Sequence, residues 1–470
     1  MDIAQFKGKN VTVVGLASSG LAAARLLKES EAVVKITDNG DSAELAKRAS
    51  ELEGMGVACE IGRHTEAFLE GTELFVVSPG VEDGSLPIKW AQERGIRIIS
   101  EIELGYIFCK GRIIAISGTN GKSTVTSLIG EIFKKAGMPV YVCGNIGLPF
   151  TEIALKTKEG DVVVLEISSF QLERIDTFRP HIAILLNITE DHLDRYNEFS
   201  DYVDAKMRMF ANQGEDDHAI LNYDQTRLRN IAPTIRSKVL FFSKNRLSTG
   251  HDGAYVENEE LVVRKDKRYV WLASSDSLSL KGEHNLENSL ASGLAALLMG
   301  AEPDCISGVL TSFKTLGHRF EFIGTVKGVR FIDDSKATNV DSVYKALQSS
   351  PRGIILIAGG KDKGGDYRIL TNALREKVKS LVLIGEAREK IAKVFSDVVP
   401  VNFASDMNDA VAKAFDKSKS GDTVMLSPMC SSFDMFKDYK ERGDLFCKAV
   451  EALNTIRGGS PSLEAGGSTK

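Results

Sequence analysis

The sequence predicts an α/β protein of three successive domains. Its 470 residues exceed what one hydrophobic core usually organises. The chain opens with a β-branched run, a glycine turn and a helix-forming segment. Further strand-like apolar runs then alternate with helical segments, an alternation that gives parallel sheets. The expected domains are 1–103, 104–313 and 314–457, followed by a flexible tail, 458–470.

The first domain begins "NVTVVGLASSGLAAARLLKESEAVVKITDNG". Val11 to Val14 form a short strand, Gly15 and Gly20 bracket a turn, and "LAAARLLKE" carries helix formers with apolar residues on one face. A second strand, Val33 to Thr37, ends at Asp38. This is a Rossmann-like βαβ start. Ala17 stands where a dinucleotide fingerprint needs its middle glycine, which counts against a dehydrogenase. The unit can bind another nucleotide through Asp38 or Asn39, or Asp38 can simply end a strand. "ELFVVSPGVE" is a further strand running into a turn at Ser78, Pro79 and Gly80.

The second domain carries "RIIAISGTNGKSTVTSLIGEIFKKAG", a buried-strand run, a glycine loop and a helix that stops at Gly137. Ile116 occupies the first-glycine position of the common GxxxxGK[ST] loop, so the loop is two residues shorter. The physics is unchanged. Backbone N–H groups around Gly118, Thr119, Asn120 and Gly121, at a helix N-terminus, suit anionic oxygens. Lys122 can reach the β- and γ-phosphates, and the Ser123 or Thr124 hydroxyl can reach Mg²⁺. This marks a central P-loop ATPase-type domain. A kinase, a GTPase, a motor and a ligase all remain compatible with the loop alone.

Strands recur at "DVVVLEIS" and "HIAILLNI", and a β-rich stretch spans 235–281. Glu166 ends one of these strands, where its carboxylate can hold a cation or be merely solvated. Asn187, His192 and Asp194 follow the next, His192 being compatible with an ordinary loop histidine. Lys206 reads by default as a surface lysine on an amphipathic helix. Asn285 and Asn288, beside His284, are plausible helix caps. Arg319 brings a planar guanidinium suited to phosphate.

The third domain, Rossmann-like in pattern, contains the strand-like runs "GVRFIDDS", "GIILIAGG", "SLVLIGEA" and "DTVMLSP". The tail "GGSPSLEAGGSTK" is low-complexity and is expected to stay outside the fold.

Bulk properties exclude several function classes. The chain is 43% hydrophobic and 26% charged, with net charge −5 and a pI near 5.9, so nucleic acid is not an expected partner. No apolar run approaches the roughly 20 residues that span a bilayer, so no membrane insertion is expected. The N-terminus lacks a secretory pattern, and the six cysteines form no CxxC pair. A reducing, cytoplasmic location follows. With no hydrophobic heptad evident, a monomer is expected.

"TNGKST" after a buried strand, followed in order by "LEISSFQLE", "NITEDHLDRY", "GEHNLENSLAA" and "LGHRFE", resembles the Mur ligase family of ATP-dependent amide-forming ligases, which also includes folylpolyglutamate synthetase. The resemblance runs from Gly15 to Gly443. It implies ATP and two Mg²⁺ as cofactors, with Ser123 and Glu166 as metal ligands and His192 near the second metal and the substrate carboxylate. It implies that Lys206 is carbamylated, giving an anion that can ligate a cation. Lys122, His192, Lys206 and Lys336 would form the catalytic set. Asn285, Asn288, Arg319 and Asp334 would meet ATP beside the loop.

Within the family, "FIDDSKATNVDS" and "LSPMCSSFDMFKDYKERG" look like the branch that adds D-glutamate to UDP-N-acetylmuramoyl-L-alanine. Thr338, Lys363, Ser432 and Tyr439 would hold D-glutamate, with Lys361 a competitor for Lys363 and Tyr439 standing where Phe is common. Ala17, Ser18, Asp38, Asn39 and Gly80 would hold the UDP end, Asn39 replacing a common Thr. Asn145 would face the sugar-phosphate portion, and His192, near the substrate carboxylate, also belongs to the UDP-substrate-binding set. The implied chemistry activates a carboxylate as an acyl phosphate, which closure of the third domain would shield from water. A ligase of the same family for another amino acid, and a nucleotide-dependent switch without synthesis, are the competing readings.

Overall fold

The computed structural model of the chain describes residues 3–191, 195–196, 198–314 and 317–456. By its contacts the chain divides into two units, Met1–Ile188 with Ser200–Phe313, and Thr189–Phe199 with Lys314–Lys470. The first unit holds two sheets and the second holds one. The α/β class with three sheet domains, expected from the sequence, is the fold observed.

The first sheet has five parallel strands: β1 Asn10–Val14, β2 Val33–Asp38, β3 Ala58–Ile61, β4 Leu74–Val77 and β5 Arg97–Ser100. Their order is β3-β2-β1-β4-β5. Strand order reverses between β1 and β4, the place where such sheets open a ligand crevice. The turn after β1 is tight. Gly15 sits at φ +92°, and a Cβ on Gly20 would lie 1.8 Å from the Gly15 carbonyl oxygen, so only glycine lets the following helix, Ser18–Glu29, start so close to the strand.

The second sheet contains β6 Arg112–Ser117, β7 Val140–Gly144, β8 Val162–Glu166, β9 Ile182–Leu185, β10 His218–Asn222, β11 Lys238–Ser243, β12 Gly253–Glu257, β13 Glu260–Lys265 and β14 Arg268–Ser274. The order is β14-β13-β12-β11-β10-β9-β6-β8-β7, parallel from β7 to β12 and antiparallel through β13 and β14. Residues Ile113–Ile116 of β6 and Val162–Leu165 of β8 are at most 1% exposed, as central strands covered on both faces must be. Helix Lys122–Lys135 buries Val125, Leu128, Ile129, Ile132 and Phe133, an i, i+3, i+4, i+7, i+8 stripe. Each such side chain contributes about 1.5–3 kcal/mol relative to exposure. The helix stops before Gly137, which takes φ +70°.

Glu103 ties helix Glu101–Phe108, which follows the first sheet, to the segment between β8 and β9. Its fully buried carboxylate accepts the N–H groups of Asp176 (2.9 Å), Thr177 (2.8 Å) and Phe178 (3.0 Å), and the Thr177 hydroxyl (2.5 Å).

The third sheet contains β15 Glu321–Val326, β16 Val329–Asp333, β17 Ile354–Gly359, β18 Val378–Ile384, β19 Val401–Phe403 and β20 Thr423–Leu426. Its order is β15-β16-β20-β17-β18-β19, parallel except for β15. Strands β3, β5, β7, β10, β15 and β19 are additions to those the sequence picks out. The tail from Gly458 lies outside the described residues, and no helix among those described is long and apolar enough to cross a membrane.

Candidate active site

The carboxyl ends of three adjacent central strands build the core of the site. β6 lies between β8 and β9, with Ile116 opposite Glu166 and Ser117 opposite Leu185. The glycine loop leaving β6 therefore emerges between Glu166 and Asn187. Asn187 clamps that loop: its carbonyl accepts the Thr119 N–H (2.9 Å), its Oδ1 accepts the Asn120 N–H (2.8 Å), and its Nδ2 donates to the Asn120 carbonyl (3.0 Å). Two amides expected to serve phosphate are thus committed to Asn187, which shifts anion binding toward Gly121 and the first turn of helix Lys122–Lys135. There the amides have no i−4 carbonyl partner.

Gly121, at φ +88°, caps this helix, and a Cβ on it would stand 2.5 Å from Asn288 Oδ1. Asn288 thus presses on the loop from helix Glu283–Leu298. Its Nδ2 donates to Asn285 Oδ1 (3.2 Å), and Asn285 Nδ2 donates to the Lys281 carbonyl (2.9 Å). Gly282, not an asparagine, is the N-cap, so the capping alternative for Asn285 and Asn288 fails. Lys122 folds back over the loop, its Nζ donating to the carbonyls of Gly118 and Thr119, both at 2.8 Å. Ser123 and Thr124 are buried in the first turn.

Glu166 is only 1% exposed, which rules out a merely solvated strand end. Its Oε1 accepts Asn145 Nδ2 at 2.8 Å, while its buried Oε2 has no hydrogen-bond partner among the described residues. A buried carboxylate oxygen left unpaired is costly unless a cation or donor meets it. That orphaned oxygen, close to a phosphate-type loop, fits Mg²⁺, which takes one or two carboxylates and otherwise phosphates and water. No group of three His, Cys, Asp or Glu side chains among the described residues forms a self-sufficient metal cage. His192 lies outside the described residues.

Lys206 is also only 1% exposed, so it is not a surface lysine. Its Nζ donates to the Gly118 carbonyl at 3.0 Å and lies 4.6 Å from the Tyr202 ring centre. Tyr202 in turn shares a 3.1 Å hydrogen bond with the Thr119 hydroxyl. The helix Phe199–Met207 therefore supports the loop through both residues.

At the β1–β4 switch, Asp38 accepts the N–H groups of Leu16 (2.6 Å, Oδ2) and Gly40 (2.8 Å, Oδ1). It orders the turn that carries Ala17, the N-cap of helix Ser18–Glu29, and Ser18. Ala17, Ser18, Asn39 and Gly80 are exposed. Asn145, assigned by the sequence to the sugar-phosphate portion, binds Glu166 through both its side chain and its backbone N–H (2.9 Å to the Glu166 carbonyl).

In the second unit, the turn after β16 carries Asp334, Ser335, Lys336 and Thr338. Burial pushes the Asp334 carboxyl up to about 7, against the opposing effects of hydrogen bonds from the Ser427 hydroxyl (2.8 Å) and the Phe320 N–H (3.2 Å), and of nearby Arg319. Arg442 is fully buried without a carboxylate in hydrogen-bond contact. It donates to Ser335 Oγ (3.0 Å), the Ser335 carbonyl (2.7 Å) and the Cys430 carbonyl (3.2 Å), pinning the turn. Burial lowers its pKa to about 10. Lys336 Nζ lies 3.9 Å from the Tyr439 ring centre, bringing together two residues the sequence assigned to the site. Ser432 is 2% exposed in the loop after β20.

Of the two competing lysines, Lys361 is exposed and its backbone bridges Ser431 in both directions (2.9 and 3.1 Å). Lys363 is largely buried, its Nζ 2.5 Å from Asp191 Oδ1.

Three family models match the chain in sequence. A Mur ligase MurD-like N-terminal domain covers residues 9–100, a Mur ligase middle domain 116–296, and a Mur ligase glutamate ligase domain 318–430. The chain is 46% identical, over 96% of its length and 98% of the relative's, to the UDP-N-acetylmuramoylalanine--D-glutamate ligase of Geotalea daltonii. It is 41% identical to the enzyme of the same name from Thermoanaerobacter pseudethanolicus, over 96% of this chain and 99% of that one. The chain belongs to the Mur ligase family.

It is an ATP-dependent ligase, and the same relatives place it in peptidoglycan synthesis. Among solved structures, a pseudomurein peptide ligase type C from Methanothermus fervidus matches with a TM-score of 0.60 at 18% identity, covering 95% of this chain and all of that one. A MurF ligase from Thermotoga maritima, solved in complex with ADP, matches at 0.58 with 16% identity, over 90% and 96%. At such identities these two establish the Mur ligase fold alone.

Four residues of this Mur ligase carry structural duties that the sequence did not assign them: Asn187, Tyr202, Asp191 and Arg442. Asn187 had a signal, since it lies two residues past the end of β9, the strand beside β6. The others act across large sequence separations, 148 to 172 residues for Asp191, which no local pattern reports.

Proposed function

We propose that the chain joins D-glutamate to UDP-N-acetylmuramoyl-L-alanine with conversion of ATP to ADP and phosphate, as a monomer in the cytoplasm. The observation that carries this is a clamped phosphate-type loop beside a buried carboxylate with an orphaned oxygen, in a chain whose relatives at 41 and 46% identity bear that ligase name. Residues 1–103 would bind the UDP portion, 104–313 ATP, and 314–457 the amino acid.

A carboxylate is a poor electrophile at neutral pH. Transfer of the γ-phosphoryl group breaks the bond to the β–γ bridging oxygen and forms one to a carboxylate oxygen of the UDP-linked substrate, giving ADP and an acyl phosphate. Lys122 would move from the loop carbonyls to the phosphates, offsetting charge on the transferring group. Ser123 and Glu166 would hold Mg²⁺, which supplies further positive charge there. Carbamylation of Lys206 would turn a buried donor into an anionic ligand. Lys336 and His192 complete the proposed catalytic set, with Asn285, Asn288, Arg319 and Asp334 on ATP. Thr338, Lys363, Ser432 and Tyr439 would orient D-glutamate. Its amine attacks the acyl carbon, loses a proton, and phosphate departs to leave the amide.

The test is ADP release by the purified chain with Mg-ATP and UDP-N-acetylmuramoyl-L-alanine, with each amino acid supplied in turn. Release that requires both substrates and prefers D- over L-glutamate is expected. Release with a different amino acid reassigns the residues proposed for D-glutamate, and release independent of both substrates returns the loop to a nucleotide switch.

A further inference from the structure

Among the described residues, Asp191 and Lys363 form the one lysine or arginine ion pair in which both side chains are at most 13% exposed. The contact is 2.5 Å, and the second carboxylate oxygen of Asp191 accepts Asn339 Nδ2 at 3.1 Å. Asn339 is itself fixed, because its Oδ1 caps helix Val340–Gln348 by accepting the Ser342 N–H at 2.9 Å. Asp191 is therefore held from two sides beside two of the residues assigned to the amino acid, Lys363 and Thr338, the neighbour of Asn339.

Buried charges persist only when paired, and removing one partner is far costlier than exchanging it. A free amino acid carries a carboxylate and an ammonium. The Asp191–Lys363 pair is the same two charges with protein atoms behind them. An incoming zwitterion can thus take over both contacts, carboxylate to Lys363 and ammonium to Asp191, without leaving either protein charge uncompensated. A diacid lacking the amine would separate the pair and bring no cation to replace Lys363 at Asp191, an arrangement that selects against it.

We infer that Asp191 receives the ammonium of the amino-acid substrate, and that its ion pair with Lys363 keeps the two groups in place until the zwitterion inserts between them. This rests on the reading of Lys363 as the amino-acid carboxylate ligand.

The experiment compares the full-length wild type with Asp191→Asn by calorimetry, titrating D-glutamate and glutarate, its counterpart without the amine, in the presence of ADP and UDP-N-acetylmuramoyl-L-alanine. The substitution should weaken D-glutamate at least about tenfold while glutarate binds as before or more tightly. A structural role alone would weaken both ligands by a common factor, and that result overturns the inference, as does unchanged D-glutamate affinity. Substrate-dependent ADP release by the wild type, measured first, separates the two claims. If another amino acid supports release, that amino acid and its des-amino counterpart replace the pair. If none does, both claims fall.

Discussion

Asp334 shows how burial sets chemistry at a single residue. It is 9% exposed in the turn after β16, and its carboxyl is pushed up to about 7 from an ordinary 3.8, with loss of hydration as the largest cause. A folded-state pKa above the unfolded one means that, between about pH 4 and 7, the unfolded chain has lost a proton the folded chain keeps. Stability from this group therefore falls as pH rises through that window and levels off above it. Asp334→Asn removes the titration while its amide can still meet Ser427, whose hydroxyl can turn to accept. The melting temperature of the wild type relative to Asp334→Asn should decline from pH 4 to 7. A pH-independent difference would show that Asp334 ionises normally. At this scale the sequence was informative where chemistry is local: Lys122, Ser123 and Glu166 could be named from a strand, a loop and a strand end. It was silent on Asp191 and Arg442, because a buried ion pair and a buried guanidinium are made by distant segments meeting.

At the scale of elements, the loop between β6 and helix Lys122–Lys135 depends on two glycine properties that separate experimentally. Gly121 and Gly137 both take left-handed φ, +88° and +70°, but only Gly121 has a neighbour, Asn288, where a Cβ would go. Alanine at either position should cost about 1–2 kcal/mol of backbone strain. Gly121→Ala should also displace Asn288 and weaken ADP at least about tenfold, whereas Gly137→Ala should leave ADP affinity at the wild-type value. Equal ADP binding by both variants, read by calorimetry, would remove the clamped loop from the nucleotide site. The strands around this loop were legible because β6, β8 and β9 are continuous apolar runs buried on both faces. β3, β5 and β19 escaped notice because they are short edge strands of three or four residues without a continuous buried apolar run.

For the whole molecule, order of motifs decided the family. A glycine-lysine-serine loop fits many enzymes, but the same loop followed by a buried strand-end glutamate, an asparagine-bearing helix and a third α/β sheet is much more restrictive. The structure adds that these parts are physically coupled within each unit: Asn187, Asn288 and Lys206 all bear on the loop, while Arg442 and Asp191 organise the third-sheet site. In the proposed function the loop activates a carboxylate for amide formation. The most direct measurement supplies UDP-N-acetylmuramoyl-L-alanine labelled with oxygen-18 in its carboxylate, together with Mg-ATP and D-glutamate, and follows the label by mass spectrometry. One labelled oxygen in the released phosphate and a product heavier by one glutamyl residue are expected. Unlabelled phosphate, with or without ADP formation, would contradict the proposed function.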